Sequence, residues 1–394
     1  MKIVPNLSFR SSVLLVAFLL AQGFCYARTI TGRDSVVTTA VEPGVTHLSF
    51  FRDGPNRVNV LVVDLKSKNL KVTSFRPVGL VPTTLQVSRN DRDGHRVVGA
   101  INADFFSFTT GWPISNQIVD GQFILGTFSV RTHMLIDESG KPRFEQVSFD
   151  GWLKTKKDRV YQITGVNDVH RNNSIVLHNS YSDSATSRIG PGKAIPLRLL
   201  SPSWSVGDTL RMLVGGDEPA SLMHIQPREA ILWIGGAPSV WDAREALKSG
   251  DTVFVCLGFQ PALKHASAAV GGMGMIVSGG KFVEYTENMK ERVSFMFLRA
   301  RHPRTFVGID RDTTKLFLCT VDGRQATSVG MNYQEMADFL ISIGVWHATN
   351  LDGGGSTTMV VRGRIVNSPS DKTGERPVAN TLQIIRLGAE SPSH

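Results

Sequence analysis

The segment from Asn350 to Val360 reads NLDGGGSTTMV and places an acid directly before three glycines and three hydroxyl side chains. Side chains alternate along a strand, so Asn350 and Asp352 are predicted to emerge on the same face where the strand ends. A carboxylate and an amide side by side at a strand end are typical of a site that acts on a polar ligand. Asp352 is therefore our first candidate for a reactive group.

The three consecutive glycines raise the question of what they are for, because each one costs backbone entropy on folding. One answer is a turn with positive φ in which Asp352 accepts hydrogen bonds from its own loop. The other is a ligand that approaches the main chain, with free amides forming a small anion-binding site beside hydroxyl groups. The residues of that predicted site are Gly353, Gly354, Gly355, Ser356 and Thr357.

Four further segments place polar side chains beside apolar, strand-like runs. An arginine such as Arg304 can pair in a bidentate way with a phosphate or carboxylate, although a solvated strand entrance is the simpler alternative. Polar groups from several strand ends would together form a pocket for a polar, anionic ligand. The residues concerned are Asn102, Asp104, Arg304, Asp322, Ser370, Asp371, Arg376 and Asn380.

The sequence lacks the motifs of several other chemistries. No G-x-x-x-x-G-K-[ST] phosphate loop, G-x-S-x-G serine elbow or H-E-x-x-H zinc motif occurs. No run of basic residues with interleaved aromatics is present, so we expect no nucleic-acid partner. Cys256 and Cys319 lie in apolar runs and are predicted to be buried thiols, with a single disulfide as the alternative.

The elements that would position these residues are mostly strands. Alternating, β-branched runs dominate from Val45 to about Phe149, and the 37 glycines suit many turns. A helix is predicted after Asn332, with Glu335 completing a capping box and Gly344 ending the helix. We therefore predict an α+β, β-dominated architecture of mixed and antiparallel sheets with a few helices.

The first 27 residues have the form of a signal peptide, with a basic start, an apolar centre and a small-x-small site before Arg28. We expect an exported protein, periplasmic or extracellular, with no membrane span after cleavage. The chain has 394 residues and a net charge of +9, which suits one large or two closely joined domains and an anionic partner such as a glycan or an envelope surface.

Several of these segments resemble the motifs of the phosphodiester glycosidase family. They are INADFF, RHPRTFVGID, VDGRQATSVGM, NLDGGGSTTMVVRGRIVNSPSD and ERPVANTLQI, in the order of that family. The resemblance extends over residues 97–387 and is weak over 165–228. It implies a glycosidase-like domain at 97–387, preceded by a signal peptide at 1–27 and a β-rich region at 28–96, and followed by a tail at 388–394.

The resemblance implies hydrolysis of the sugar–phosphate bond of a sugar-1-phosphodiester with an N-acetylglucosamine-like sugar. Asp352 would act as nucleophile or as base for water, with Asp371 and Asp322 as alternative acids. Arg304, Arg376 and the glycine amides would stabilise the departing phosphate. The other predicted binding residues would hold sugar hydroxyls or phosphate: Asn102, Asp104, Asn350, Ser356, Thr357, Ser370 and Asn380.

No cofactor is expected, and a structural divalent cation is left open. Two other functions stay open at this point. One is a hydrolase of glycosidic bonds without phosphate in an exopolysaccharide, and the other is a non-catalytic glycan-binding module of the cell envelope.

Overall fold

The computed structural model describes residues 26–30, 34–183, 192–216, 221–222 and 224–388. Residues 1–25 of the predicted signal peptide and the tail from residue 389 lie outside the described residues. The strands are β1 Tyr26–Ile30, β2 Asp34–Glu42, β3 Val45–Arg52, β4 Asn56–Asp64, β5 Leu70–Phe75, β6 His95–Asn102, β7 Gln117–Val119, β8 Gln122–Leu125, β9 Arg131–Asp137, β10 Pro142–Lys154, β11 Val160–Ile163, β12 Gly165–Val166, β13 Ile175–His178, β14 Gly192–Leu199, β15 Thr209–Val214, β16 Glu229–Gly235, β17 Thr252–Gln260, β18 Ala266–Gly271, β19 Met275–Ser278, β20 Lys281–Phe282, β21 Arg304–Asp310, β22 Lys315–Val321, β23 Val345–Asn350, β24 Met359–Val361, β25 Arg364–Ile365 and β26 Thr381–Leu387. The helices are α1 Thr83–Asn90, α2 Pro238–Ala246, α3 Tyr285–Lys290, α4 Phe295–Arg299 and α5 Tyr333–Ser342.

The strands form three sheets. A nine-stranded sheet has the order β1-β2-β3-β4-β22-β21-β23-β19-β20, and a five-stranded sheet has the order β25-β24-β6-β26-β5. A twelve-stranded sheet contains β7 to β18. Pairing is antiparallel except between β12 and β13. The predicted β-dominated α+β class is confirmed.

The first and last parts of the chain share the same sheets. β4 pairs with β22 over seven register positions, and β5 pairs with β26. Residues 28–96 therefore supply strands to the sheets that also contain the strands of the last third. The domain boundaries drawn from the sequence stay a prediction.

The nine-stranded and five-stranded sheets pack face to face over an apolar core. Ile101 of β6, Val307 of β21 and Met359 of β24 are fully buried in it. β6 lies between β24 and β26, which explains why six of its eight residues are buried. This packing brings the ends of β6 and β23 to the same place, and both strands end in candidate site residues.

The twelve-stranded sheet encloses a second core. Phe149, Leu177, Leu232 and Val255 are among its buried members. The amides and carbonyls of Gly126 and Val166 bond reciprocally at 3.0 and 3.1 Å, which joins the β8 end of this sheet to the β12 end. The poorly matched stretch 165–228 contributes β12 to β15 to this sheet.

Helix α5 covers one face of the nine-stranded sheet, as its sequence predicts. The Asn332 side chain accepts from the Glu335 amide, and the Glu335 side chain accepts from the Asn332 amide, which confirms the predicted capping box. Met336, Phe339 and Leu340 are buried beneath the helix.

None of the helices in the described part of the chain is both long and apolar enough to cross a membrane. Cys256 and Cys319 are free thiols.

Candidate active site

Two carboxyl groups meet where β6 and β23 end. The amide of Asp352 donates to the Ala103 carbonyl at 2.9 Å, and the Asn102 Nδ2 donates to the Asp352 carbonyl at 2.7 Å. Asp104 follows two residues after β6, so these bonds place Asp104 and Asp352 in the same site. The two side chains are close enough for the Asp352 charge to raise the pKa of Asp104.

Asn102 connects the elements of the site. Its Oδ1 accepts from the Thr305 hydroxyl at 2.7 Å and from the Thr358 amide at 3.1 Å, while its Nδ2 holds Asp352. The side chain is fully buried. The predicted substrate contact of Asn102 is therefore corrected to a scaffold role, because its bonds are made to β21, to β24 and to the Asp352 loop.

Asp104 is buried, with 1% of its surface exposed. Its carboxyl accepts from the Ser115 amide at 3.0 Å and from the Ser115 hydroxyl at 3.2 Å. Burial raises the pKa of Asp104 to about 7, against the lowering effects of Arg131 and of the Ser115 bonds. A buried carboxyl that is neutral below pH 7 is a common feature of sites that act on charged substrates.

Asp352 is partly exposed, and burial raises its pKa to about 6. The Ser356 hydroxyl, the charge of Arg376 and the Gly353 amide all favour its ionised form. No ion pair to Asp352 occurs among the described residues. Asp352 is thus ionised near neutral pH, and a substrate can reach it.

The glycine run serves packing and turn geometry. Gly354 has a φ of 63°, which most other residues adopt only with strain. A Cβ on Gly355 would collide with the carboxylate of Asp371 and the guanidinium of Arg376. One of the three amides, that of Gly354, already donates to the Pro303 carbonyl at 2.8 Å. The predicted anion site therefore does not have three free amides.

Asp371 and Arg376 form one unit above this turn. Arg376 donates to the Asp371 carboxylate through Nε at 2.7 Å and through Nη2 at 3.1 Å. This bidentate pair leaves the Asp371 carboxylate occupied, which argues against the predicted role of Asp371 as an alternative acid. Arg376 also acts on Asp352, since its charge lowers the pKa of that carboxyl.

Arg304 lies at the start of β21, and backbone carbonyls bind two of its guanidinium nitrogens. The group donates to the backbone carbonyls of Met331, Phe297 and Ala300 at 3.1, 2.7 and 2.8 Å. It also lies 4.3 Å from the centre of the Phe297 ring. Arg304 is 1% exposed, so these bonds have a structural role. Its Nη1 has no hydrogen-bond partner among the described residues, and its contact with phosphate stays a prediction.

Asp322 is likewise committed to the scaffold. Its Oδ1 accepts from Asn367 Nδ2 and from the Ser368 amide, each at 3.0 Å. These bonds anchor the loop that carries Ser370, Asp371 and Arg376. The predicted catalytic role of Asp322 has no geometric support, because both bonds hold the loop and the side chain is 2% exposed.

Arg324 is a site residue that sequence reasoning did not select. Its Nη2 lies 3.1 Å from the position that a Cβ on Gly354 would take. The side chain is exposed, the residue has a φ of 60°, and no ion pair to it occurs in the described ranges. The only sequence signal was its place in the polar loop VDGRQATS, two residues after Asp322. This cation is available to an anion at the glycine turn.

Several predicted binding residues carry buried polar atoms that have no hydrogen-bond partner in the described part of the chain. Most buried polar atoms of proteins bind a partner or an ordered water, so these atoms are available to water or to a polar ligand. Asn380 illustrates the pattern, since its Oδ1 accepts from the Asp104 amide at 2.9 Å while its Nδ2 has no partner. The atoms are Asn350 Oδ1, Ser356 Oγ, Thr357 Oγ1, Ser370 Oγ and Asn380 Nδ2, and the neighbouring Thr358 Oγ1 belongs with them.

Within the described ranges, no group of three or more His, Cys, Asp or Glu residues has the arrangement of a metal site. The expectation of no cofactor stays a prediction.

Comparison with known proteins adds a family to this geometry. Residues 235–385 match the family model of phosphodiester glycosidases. The resemblance predicted from the sequence is confirmed over these residues. They include Asp352, Arg324 and Arg376, whereas Asp104 comes from the part of the chain before them.

Two curated relatives match a short stretch. The N-acetylglucosamine-1-phosphodiester alpha-N-acetylglucosaminidase of Bos taurus is 45% identical over 86 residues, which are 22% of this chain and 16% of the relative. The SPbeta prophage-derived uncharacterized protein YomE of Bacillus subtilis (strain 168) is 41% identical over 87 residues, 22% of this chain and 13% of the relative. The matches thus span less than a fifth of either relative.

The whole fold has a counterpart among solved structures. A hypothetical protein from Synechocystis superposes with a TM-score of 0.66 at 19% identity. The superposition covers 89% of this chain and 64% of that one. The likeness extends well beyond the matched domain and includes most of the strands that frame the site.

Proposed function

We propose that this protein is an exported hydrolase that cleaves the bond between a sugar and phosphate in a sugar-1-phosphodiester. The observation that carries the proposal is the partial exposure of Asp352 together with its lack of an ion pair among the described residues. Of the four residues predicted as catalytic, Asp352 alone combines partial exposure with a side chain free of any ion pair within the described residues. It stands beside a second raised-pKa carboxyl and beside Arg324, which has no ion pair among the described residues, in the stretch that matches phosphodiester glycosidases.

The reaction adds water across the anomeric carbon–oxygen bond. Asp352 either attacks the anomeric carbon or removes a proton from the attacking water. The anomeric carbon–oxygen bond breaks, and its electron pair leaves with the phosphate as a phosphomonoester. The sugar receives the hydroxyl group of water, and the remaining proton passes to the phosphomonoester or to solvent.

The leaving group determines what the site must supply. A phosphomonoester has a second pKa near 6, so it leaves readily near neutral pH when its negative charge is stabilised. Arg324 faces the turn without an ionic partner, and Arg376 adds a charge that Asp371 already neutralises in part. Arg324 is therefore the cation that we assign to the departing phosphate.

Asp104 sets the charge of the site. In its neutral form it leaves Asp352 as the only negative charge of the pair, so the anionic diester meets less repulsion. Its pKa of about 7 keeps this form predominant in slightly acidic solution. Asn350, Ser370 and Asn380 supply unpaired polar atoms for sugar hydroxyls or phosphate oxygens.

The sugar and the compartment are further parts of the proposal. The bovine relative is named for an N-acetylglucosamine-1-phosphodiester, which supports an N-acetylglucosamine-like sugar here. The signal-like N-terminus supports export to the periplasm or the cell exterior, where glycans of the envelope would be substrates.

The test is to incubate the purified protein with the methyl phosphodiester of N-acetylglucosamine-1-phosphate and to measure free sugar. A methyl glycoside of the same sugar, which lacks phosphate, serves as the comparison. We expect release from the diester only, and Asp352→Asn should reduce it by about a hundredfold or more. Equal release from both compounds would favour a general glycosidase, and binding without release would favour a glycan-binding module.

A further inference from the structure

Three large apolar side chains are unusually exposed around the site. Met296, Val78 and Phe108 are 75%, 71% and 69% exposed, the highest values for large hydrophobic side chains among the described residues. We call these three residues the apolar rim. Single exposed apolar residues are ordinary, but these three lie on segments that contact one another or the site.

Phe108 lies beside the arginine pair of the site. It sits in a tight loop that is closed by the Ser107 amide on the Trp112 carbonyl at 2.9 Å. Its ring is 4.9 Å from that of Phe106, and the Arg376 guanidinium is 5.7 Å from its centre. The loop begins directly after Asp104 and Phe105, so it forms one wall of the site.

Val78 belongs to a segment that supports the same loop. A Cβ on Gly111 would lie 3.3 Å from the Cα of Gly79, which places the backbone next to Val78 against the Phe108 loop. The two exposed side chains therefore stand on adjoining segments.

Met296 borders the site from another side. It lies on α4 next to Phe297, whose ring centre is 6.5 Å from that of Phe105. Phe105 and Phe297 thus join the segment that carries Phe108 to the segment that carries Met296. Phe108 and Met296 therefore lie on two segments that contact each other through Phe105 and Phe297.

Basic side chains accompany the apolar rim. The Arg299 guanidinium lies 5.6 Å from the centre of the Phe295 ring. Arg292 is exposed just before the helix that carries Met296, and Lys372 is exposed next to Asp371. Without Lys2 and Arg10 of the predicted signal peptide, the chain carries a net charge of +7. Exposed apolar tips flanked by cations are typical of proteins that lie on anionic membranes.

We propose that the apolar rim rests on a lipid bilayer and that the substrate is a sugar-1-phosphodiester whose second ester group is a membrane lipid. The proposal rests on the proposed function and names the aglycone of its substrate. Val78 and Met296 have no aromatic face on which a sugar ring could stack, so the rim suits acyl or isoprenoid chains better than a glycan.

The geometry of the reaction fits this arrangement. The phosphate would lie at Arg324 and Arg376, and the lipid would extend past Phe108, which is the apolar neighbour of Arg376. Water adds to the anomeric carbon and the sugar–phosphate bond breaks as before. The free sugar enters solution, and the phosphorylated lipid stays in the bilayer.

The test compares a rim variant, Val78→Ser with Met296→Gln, with the wild type. The matched control is Val160→Ser with Val169→Ser, which changes residues that are 60% and 63% exposed on the twelve-stranded sheet and its adjoining loop. Two readouts are needed. One is co-sedimentation with vesicles of phosphatidylcholine and phosphatidylglycerol, and the other is sugar release from a vesicle-borne glycosyl phospholipid and from the soluble methyl diester.

We expect the rim variant to lose on the order of tenfold in vesicle binding and in turnover of the vesicle-borne substrate, with unchanged turnover of the methyl diester. The control variant should match the wild type in every assay. Unchanged vesicle binding of the rim variant would overturn the proposal, and so would an equal loss on the soluble diester or a selective loss on a diester with a sugar aglycone. If no diester is cleaved by any variant, the proposed function fails, while sedimentation still decides whether the rim binds lipid.

Discussion

Asp352 and Asp104, with pKa values of about 6 and 7, should limit activity to a narrow pH range. Asp352 must lose its proton to act, so activity should rise with pH through about 6. Asp104 gains its charge near pH 7, and the second negative charge then repels the anionic diester. We predict a bell-shaped pH profile of kcat/KM with its maximum between these values.

Asp104→Asn should abolish the fall on the alkaline side and leave the acid side in place. Ser115→Ala is the matched variant: it removes a hydroxyl bond that lowers the pKa of Asp104, so the alkaline limb should move to higher pH. An alkaline limb that persists in Asp104→Asn would show that another group titrates there.

The same shift predicts how stability changes with pH. The pKa of Asp104 is about 7 in the folded protein against 3.8 for the ordinary group. The folded state therefore binds the proton more tightly, and the free energy of unfolding falls as pH rises from about 4 to 7. Asp104→Asn should reduce this slope and leave the part that Asp352, with a pKa of about 6, contributes between about pH 4 and 6. Thermal melts of both proteins at pH 5 and pH 8 measure the difference.

Two arginines near the glycine turn should behave in opposite ways on substitution. Arg304→Ala leaves three carbonyls without their donor and should lower the free energy of unfolding by about 3 kcal/mol or more. Arg324→Ala changes an exposed side chain, so it should leave stability intact and reduce kcat/KM by about a hundredfold. Urea unfolding and diester hydrolysis separate the two effects, and a stable, inactive Arg304→Ala would reverse our assignment.

The sequence identified some of these residues for sound physical reasons. Asp352 could be selected because a carboxylate directly before three glycines indicates either a tight turn or a site where a ligand approaches the main chain. Arg304 and Arg324 were not separable, because each is an arginine in a polar segment before or after a strand. Only the tertiary structure shows that Arg304 donates to three carbonyls, whereas Arg324 donates to none in the part of the chain that the structure describes.

At the scale of elements, the loop between β25 and β26 should depend on Asp322. Asp322→Ala removes the acceptor for Asn367 and Ser368, which should loosen the segment that carries the Asp371–Arg376 pair. We expect faster hydrogen exchange in residues 367–376 and a severalfold higher KM, with the pH profile unchanged. Asp338→Ala, on the exposed side of α5, is the control. Equal exchange in both variants would mean that other contacts hold the loop.

Local elements could be predicted more readily than the pairing of strands that lie far apart in the sequence. The α5 capping box follows from contiguous residues, and the structure has it. The placement of β6 between β24 and β26 could not be predicted, because the hydrophobic pattern of a strand does not identify its partners. The pairing of Asp104 with Asp352 follows from that placement and so stayed hidden.

For the whole molecule, the matched domain should not function by itself. A fragment of residues 235–388 would lack β4, β5 and β6, which pair with β22 and β26, and it would lack Asp104. We predict that this fragment does not fold cooperatively and does not cleave the diester, whereas residues 34–388 do both. Circular dichroism melts and sugar release provide the measurement, and an active fragment would show that Asp104 is dispensable.

The position of β6 also has a consequence for how the protein is made. Its two neighbours lie at the far end of the chain, and Thr358, which bonds Asn102, is 256 residues further along. At the usual speed of translation, a ribosome needs roughly 13 to 50 seconds to synthesise the chain between β6 and the first strand that pairs with it. During that time its row of Val97, Val98, Ala100 and Ile101 is an unpaired edge that other nascent chains can join. We therefore expect the yield of folded protein to rise when a chaperone that covers exposed strands is produced with it.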